Sequence, residues 1–206
     1  MNIEKHKGQI ITKFTEIDHK DGLILIESII NNKYDIGLMK KIVISLSENK
    51  KKYAYEIYDY IIKNTNLNYD TILNKYNDYS LIHLCAEYGN INLLNYLIKN
   101  GANINLQNYL GETALIWASL HSNNSSTIET VKLLLDHCAD IDLRDNYGNT
   151  ALILASLNSI DISSIETVKL LLENGASVNL KDKEGKTAYD IAPTNECKYL
   201  IKSYMK

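Results

Sequence analysis

The sequence predicts an all-α solenoid of helix-loop-helix repeats with short β-hairpin turns and a helical N-terminal cap. Three observations carry this expectation. One block recurs as Gly111-Glu-Thr-Ala-Leu-Ile-Trp-Ala-Ser119, Gly148-Asn-Thr-Ala-Leu-Ile-Leu-Ala-Ser156 and Gly185-Lys-Thr-Ala-Tyr-Asp-Ile-Ala192, so that Thr113, Thr150 and Thr187 stand 37 residues apart. A second block recurs in the same phase, ending Asn100-Gly-Ala-Asn-Ile-Asn105, His137-Cys-Ala-Asp-Ile-Asp142 and Asn174-Gly-Ala-Ser-Val-Asn179. Self-similarity at such a fixed period marks units that bury their apolar faces only by stacking. Finally, 45% of the 206 residues are apolar and 23% charged, which suits a soluble chain with a real core.

Taken in order, residues 1–21 read as an extended or poorly ordered tail. Residues 22–66 read as a helical cap or as degenerate repeats. Within them Leu23–Ile30 suits a helix, Asp35 suits an N-cap for Ile36–Leu46, and Lys52–Lys63 places Tyr53, Ile57, Tyr60 and Ile61 at helical spacing. Residues 67–206 hold four repeats, at about 76–105, 106–142, 143–179 and 180–206. In each, a turn Gly is expected to supply positive φ, with Asp78 standing in for it in the first copy. Thr113 and Thr150 are expected to cap a first helix. Ser126-x-x-Glu129 and Ser163-x-x-Glu166 have the spacing of a capping box for a second helix, with Lys132 and Lys169 adding surface pairs to those Glu residues. Gly101 and Gly175 suit the C′ position, where Cys138 is a poorer choice. Pro193 should stop the last first helix, leaving a short terminal one at about Asn195–Tyr204. Four extra residues in the two middle repeats fall at 121–126 and 158–163, and these loops should lie side by side.

These blocks resemble the ankyrin repeat, in its Thr-x-Leu-x-x-Ala-Ala block, its Val-x-Leu-Leu-Leu helix and its Gly-Ala-x-Ile/Val-Asn exit. The resemblance covers about residues 75–206. Ala114 and Ala151 depart from it where the family often has Pro, and the family His survives only as His83. The Ser-Asn-rich loop before Ile-Glu-Thr-Val-Lys-Leu-Leu-Leu is similar to ankyrin proteins of giant DNA viruses. The resemblance implies a non-catalytic protein–protein interaction module, acting in the cytoplasm (that of a host cell, if viral). A substrate adaptor of a ubiquitin-ligase-type assembly is the alternative, although the chain runs only about 14 residues past Ala192, too few for a C-terminal ligase box. The residues flanking the turn Gly and the exposed side of the first helix line the family's binding surface. Carried onto this chain, they are Tyr76, Asn77, Tyr79, Tyr109, Leu110, Glu112, Asn146, Tyr147, Asn149, Lys183, Glu184 and Lys186, joined by Trp117 and His121. For Trp117 a place between helices is the competing expectation. Asn105 and Asn179, each with Leu eight residues earlier, resemble substrates of the asparaginyl hydroxylase that acts on ankyrin repeats.

Other classes find little support. A net charge of -3 argues against nucleic-acid binding. No apolar run approaches the roughly 20 residues a membrane helix needs. The opening MNIEKHKGQI has no apolar segment of a secretory signal. Cys85, Cys138 and Cys197 fit no metal motif, and their odd number suits a reducing compartment. No Gly-rich phosphate loop, nucleophile elbow or His-Glu-x-x-His occurs. Asp140, Asp142 and Asp145 cluster, but at spacing too sparse for calcium. His83 reads as a structural imidazole between repeats, and Cys85 as a small buried apolar residue. No enzyme activity, cofactor or metal is expected; the partner is a protein, and the chain is expected to be a monomer.

Overall fold

The structure, a computed structural model, describes residues 80–122, 128–160 and 162–205. The expected tail, the cap at 22–66 and the candidate residues Tyr76, Asn77 and Tyr79 lie outside these, as does the 123–127 part of the first inserted loop. The described residues comprise eight helices and no strand, an all-α repeat solenoid. They fall in two compact units, 80–102 and 103–205.

The first unit pairs α1 (Leu81–Glu87) with α2 (Ile91–Lys99). Both begin at residues able to accept from the open first turn. Asn90 Oδ1 takes the Leu93 N–H at 3.1 Å. At α1, Ser80 N–H donates to His83 Nδ1 at 3.3 Å, with Ser80 Oγ 3.0 Å from the same nitrogen. Nδ1 is the acceptor of the Ser80 N–H. These bonds tie the imidazole to the start of its own helix. Ile82, Leu84, Leu93, Leu94 and Leu97 are fully buried, each worth about 1.5–3 kcal/mol of apolar burial.

The second unit holds α3 (Ala114–Leu120), α4 (Ile128–Asp136), α5 (Ala151–Leu157), α6 (Ile162–Glu173), α7 (Ala188–Ile191) and α8 (Asn195–Ser203). They form two layers. α3 packs on α5 and α5 on α7; α4 packs on α6 and α6 on α8. Ala118 and Ala155 are buried, and their small side chains let the first-layer helices approach. The core between layers is built by Leu115, Ile116, Leu134, Leu152, Ile153 and Leu171.

The helix ends follow the sequence closely. Thr113, Thr150 and Thr187 each accept from the N–H three residues on, at 3.3 Å. α2, α4 and α6 all end in the same double bond pattern, as in Gly175 N–H to Leu172 O at 3.0 Å and Ala176 N–H to Leu171 O at 3.1 Å. This Schellman closure needs positive φ at C′. Gly101 and Gly175 supply it at φ 90° and 88°, and Cys138 is driven to φ 62° in the same role.

Two local expectations are corrected. α6 starts at Ile162, so Ser163 lies inside its first turn and is not the N-cap. A Ser-x-x-Glu spacing also occurs within a first turn, so the spacing alone does not fix the boundary. Lys169 pairs with Glu173 at 3.8 Å, one turn onward, where Glu166 was expected. Ser126 of the other expected box lies outside the described residues. The second inserted loop is tied at its start to the end of α3, where Asn158 Nδ2 donates to Leu120 O at 2.9 Å; residues 123–127 and 161 of the two loops lie outside the described residues.

Candidate partner-binding face

The three turns of the second unit are built by one acidic or amide side chain each. Asn108 Oδ1 accepts from Leu110 N–H and Glu112 N–H, both at 2.9 Å. Asp145 Oδ1 accepts from Tyr147 N–H at 2.8 Å and Asn149 N–H at 2.7 Å. Asp182 Oδ1 repeats this with Glu184 and Lys186, both at 2.9 Å. Such a side chain folds the backbone over itself, the reason Asx residues initiate turns. Their recurrence at 108, 145 and 182 was visible as a 37-residue step, but these residues were not among the expected site residues.

Successive turns are then laced together. Asn146 N–H donates to Leu110 O at 2.7 Å, and Lys183 N–H to Tyr147 O at 2.8 Å. Asn146 Nδ2 adds a bond to Tyr109 O at 2.8 Å. Gln107 Nε2 reaches both its own Gly111 O at 2.6 Å and Arg144 O at 3.1 Å. Arg144 copies it one repeat later, bonding Gly148 O through Nε at 3.1 Å and Lys181 O through Nη2. The turn tips are thus fixed relative to one another. Tyr109 and Tyr147 project from them with 53% and 59% of their surface exposed.

The expected site residues divide in two. Tyr109, Leu110, Asn146, Tyr147, Lys183, Glu184 and Lys186 come together along the tips; Lys186 Nζ pairs with Glu184 at 2.8 Å, which raises the lysine pKa. Glu112 and Asn149 spend their polar atoms inside the turns. Glu112 Oε2 accepts from Asn108 Nδ2 at 2.8 Å and from Trp117 Nε1 at 3.0 Å, and Asn149 Nδ2 donates to Asp145 Oδ2 at 3.0 Å. Trp117 is half-buried and stacks on His121, with ring centroids 4.8 Å apart. It lies between the two expectations: one edge is held by Glu112, and part of the indole stays accessible. Its equivalent Leu154 is buried, as a residue between first-layer helices would be. Leu157 and Ile160, outside the residues expected on the turn face, are exposed at 42% and 71% at the edge of the second inserted loop.

The chemistry of the remaining candidates is quiet. Cys85 is fully buried, and desolvation pushes its thiol well above the usual range. Burial also raises the Cys197 thiol, with the neighbouring Ser159 and Ser156 hydroxyls acting in the opposite direction. The clustered aspartates are occupied by backbone N–H groups, Asp145 within its turn and Asp140 by Asp142 N–H at 3.2 Å. Among the described residues, no group of three or more His, Cys, Asp or Glu is placed to hold a metal ion, and no helix is long and apolar enough to cross a membrane. A family model described as ankyrin repeats (3 copies) matches residues 25–128, 82–182 and 123–205. No curated protein matches the chain.

Proposed function

Because the chain belongs to the ankyrin-repeat family, whose members are protein–protein interaction modules and generally non-catalytic, we propose that it captures a protein partner on the tips of its turns. The observation that supports this is the pair Tyr109 and Tyr147, largely exposed on turns that are laced together by backbone bonds. Amphipathic aromatics are typical binding hot spots. Holding them in place beforehand removes ordering cost from association. Trp117, His121 and Lys183 extend the same face. The likeness to giant-virus ankyrin proteins supports a viral protein meeting a host partner in the host cytoplasm, so the bait is best offered a host cytosol. An adaptor role would show itself as a ligase subunit captured together with its substrate.

The test is capture by the full chain and by its Tyr109→Ala/Tyr147→Ala variant, read by mass spectrometry. The variant should lose the partner while its circular-dichroism melt stays nearly unchanged, since both side chains are mostly in water. Equal yield from the variant would move the site to the inserted-loop edge around Leu157 and Ile160.

A further inference from the structure

Two exit loops of the second unit are clasped by a side chain of the repeat before them. Asp140 N–H, after α4, donates to Asn105 Oδ1 at 2.9 Å. Ser177 N–H, after α6, donates to Asp142 Oδ1 at 2.9 Å, and Ser177 Oγ meets Asp142 Oδ2. The loop clasped by Asp142 begins with Asn174-Gly175, and α2 ends in the same pair, Asn100-Gly101; these are the two Asn-Gly steps of the sequence. Asn-Gly is the most labile step for asparagine chemistry, because Gly has no Cβ to crowd attack of its nitrogen on the carboxamide before it.

The helix ends hold both pairs away from that attack. Gly175 N–H is committed to Leu172 O at 3.0 Å, and Asn174 Nδ2 donates to Leu170 O at 2.8 Å. Gly101 N–H is committed to Ile98 O at 3.1 Å, and Asn100 Nδ2 donates to Tyr96 O at 2.8 Å. Ring closure needs Cβ, Cα, C and the Gly nitrogen nearly in one plane, and Asn100, at ψ 14°, holds them out of it. Yet all four residues are exposed, so water reaches them as soon as the turn opens.

We propose that Asn100 and Asn174 are sites of spontaneous deamidation held in check by the closed helix ends, and that conversion of Asn174 releases the clasp on Asp142. The Gly175 nitrogen, its proton lost to water, bonds to Asn174 Cγ. The Cγ–Nδ2 bond breaks, and Nδ2 leaves as ammonia with a proton from water. Water then opens the cyclic imide at one carbonyl or the other, giving aspartate or isoaspartate. Water is the sole co-reactant. Either product puts a carboxylate at a helix C-terminus, against the dipole, and has no Nδ2–H for Leu170 O. Isoaspartate also adds a methylene to the main chain, so Gly175 no longer falls at C′ and the Schellman closure is lost. Ser177 lies two residues on and is carried off Asp142. The middle repeat has His137-Cys138 at this place, with no carboxamide to react.

The experiment incubates the full chain at mildly alkaline pH, in buffer and in strong guanidinium chloride, and follows each asparagine by peptide mapping and by isoaspartyl methyltransferase labelling. In denaturant, Asn100 and Asn174 should convert ahead of every other asparagine. In buffer both should slow by roughly tenfold to a thousandfold, since three hydrogen bonds at the helix end must break together. A His137→Asn/Cys138→Gly variant should gain a third site with the same protection. Asn174→Asp, standing in for the product, should speed hydrogen exchange at the Ser177 amide and leave the amides of α3 and α5 as they were. Equal rates in buffer and denaturant, or earlier conversion at other asparagines in denaturant, overturns the assignment of the sites. Unchanged exchange at Ser177 in Asn174→Asp overturns the link to the clasp.

Discussion

The turn glycines can be ranked by what a methyl group would strike. Gly111, Gly148 and Gly185 have φ of 77°, 84° and 82°, so Ala at any of them carries the left-handed strain. That strain is about 1–2 kcal/mol, offset by about 0.4–1 kcal/mol from a stiffer unfolded chain. Gly185→Ala should cost about 1 kcal/mol and no more, because its Cβ meets nothing within 4 Å. Gly111→Ala adds a collision. Its Cβ would lie 2.9 Å from the Asn146 backbone N and 2.8 Å from Asn146 Oδ1. The backbone must move, which breaks the Asn146 N–H to Leu110 O bond, worth about 0.5–1.5 kcal/mol, and adds an overpacking cost of about 1–3 kcal/mol. The total is about 3–5 kcal/mol. Gly148→Ala should fall between. Its nearest neighbour is Arg144 Nη2 at 2.7 Å, the end of a long side chain that can shift at the cost of its bond to Lys181 O, with the Lys183 N behind it at 3.0 Å. Urea unfolding of the full chain, read by far-UV circular dichroism at constant m, measures all three. If Gly185→Ala cost as much as Gly111→Ala, close approach between turns would not be the reason for glycine at 111.

Cys138→Gly should stabilise the chain by about 0.5–1 kcal/mol, since φ 62° strains any side chain there; an unchanged urea midpoint would show that the strain is absorbed elsewhere. Asp190 accepts from Thr187 N–H at 2.9 Å and Thr187 Oγ1 at 2.7 Å, and these bonds, the backbone one first, hold its carboxyl below the usual range. A depressed folded-state pKa gives stability that is present above the unfolded value, near pH 4, and lost as pH falls through the folded one. Asp190→Asn should therefore lower stability at neutral pH and flatten its acid dependence below about pH 4, and an acid limb identical to the parent's would refute the cap. Asparaginyl hydroxylase should add the mass of one oxygen at Asn179 faster than at Asn105, whose carboxamide is engaged by Asp140 N–H; an unchanged intact mass after incubation would remove both sites.

What the sequence made legible was local. Thr113, Thr150, Gly101 and Gly175 answer to needs of the backbone within one turn of themselves, and those needs are the same in any protein. The stop at Pro193 and the short terminal helix were readable for the same reason: α8 runs Asn195–Ser203, with the Thr194 hydroxyl accepting from Cys197 N–H at 3.2 Å. What stayed hidden spans repeats. Nothing in Gln107 or Arg144 by itself says that each grips the backbone of the next turn. Trp117 was undecided because periodicity puts its equivalents Leu84 and Leu154 in the core, while Glu112, five residues back, pulls the indole N–H aside. Ser163 misled because a capping-box spacing is satisfied in more than one register.

The clasp between exit loops is directional in a way that bears on ancestry. Asn105 Oδ1 takes the Asp140 N–H and Asp142 Oδ1 the Ser177 N–H, each at 2.9 Å, and a main-chain N–H is something every residue except proline possesses; Asp142 takes the Ser177 hydroxyl as well. The main-chain part of the clasp therefore leaves the gripped residue's identity open, and Asp140 and Ser177 show two different choices. A unit of this kind can be copied, deleted or spliced in from elsewhere without matching its neighbour side chain for side chain. Gene duplication meets little resistance at such a joint. The near-verbatim wording of 129–135 and 166–172, Glu-Thr-Val-Lys-Leu-Leu-Leu in both, is what a duplication would leave behind.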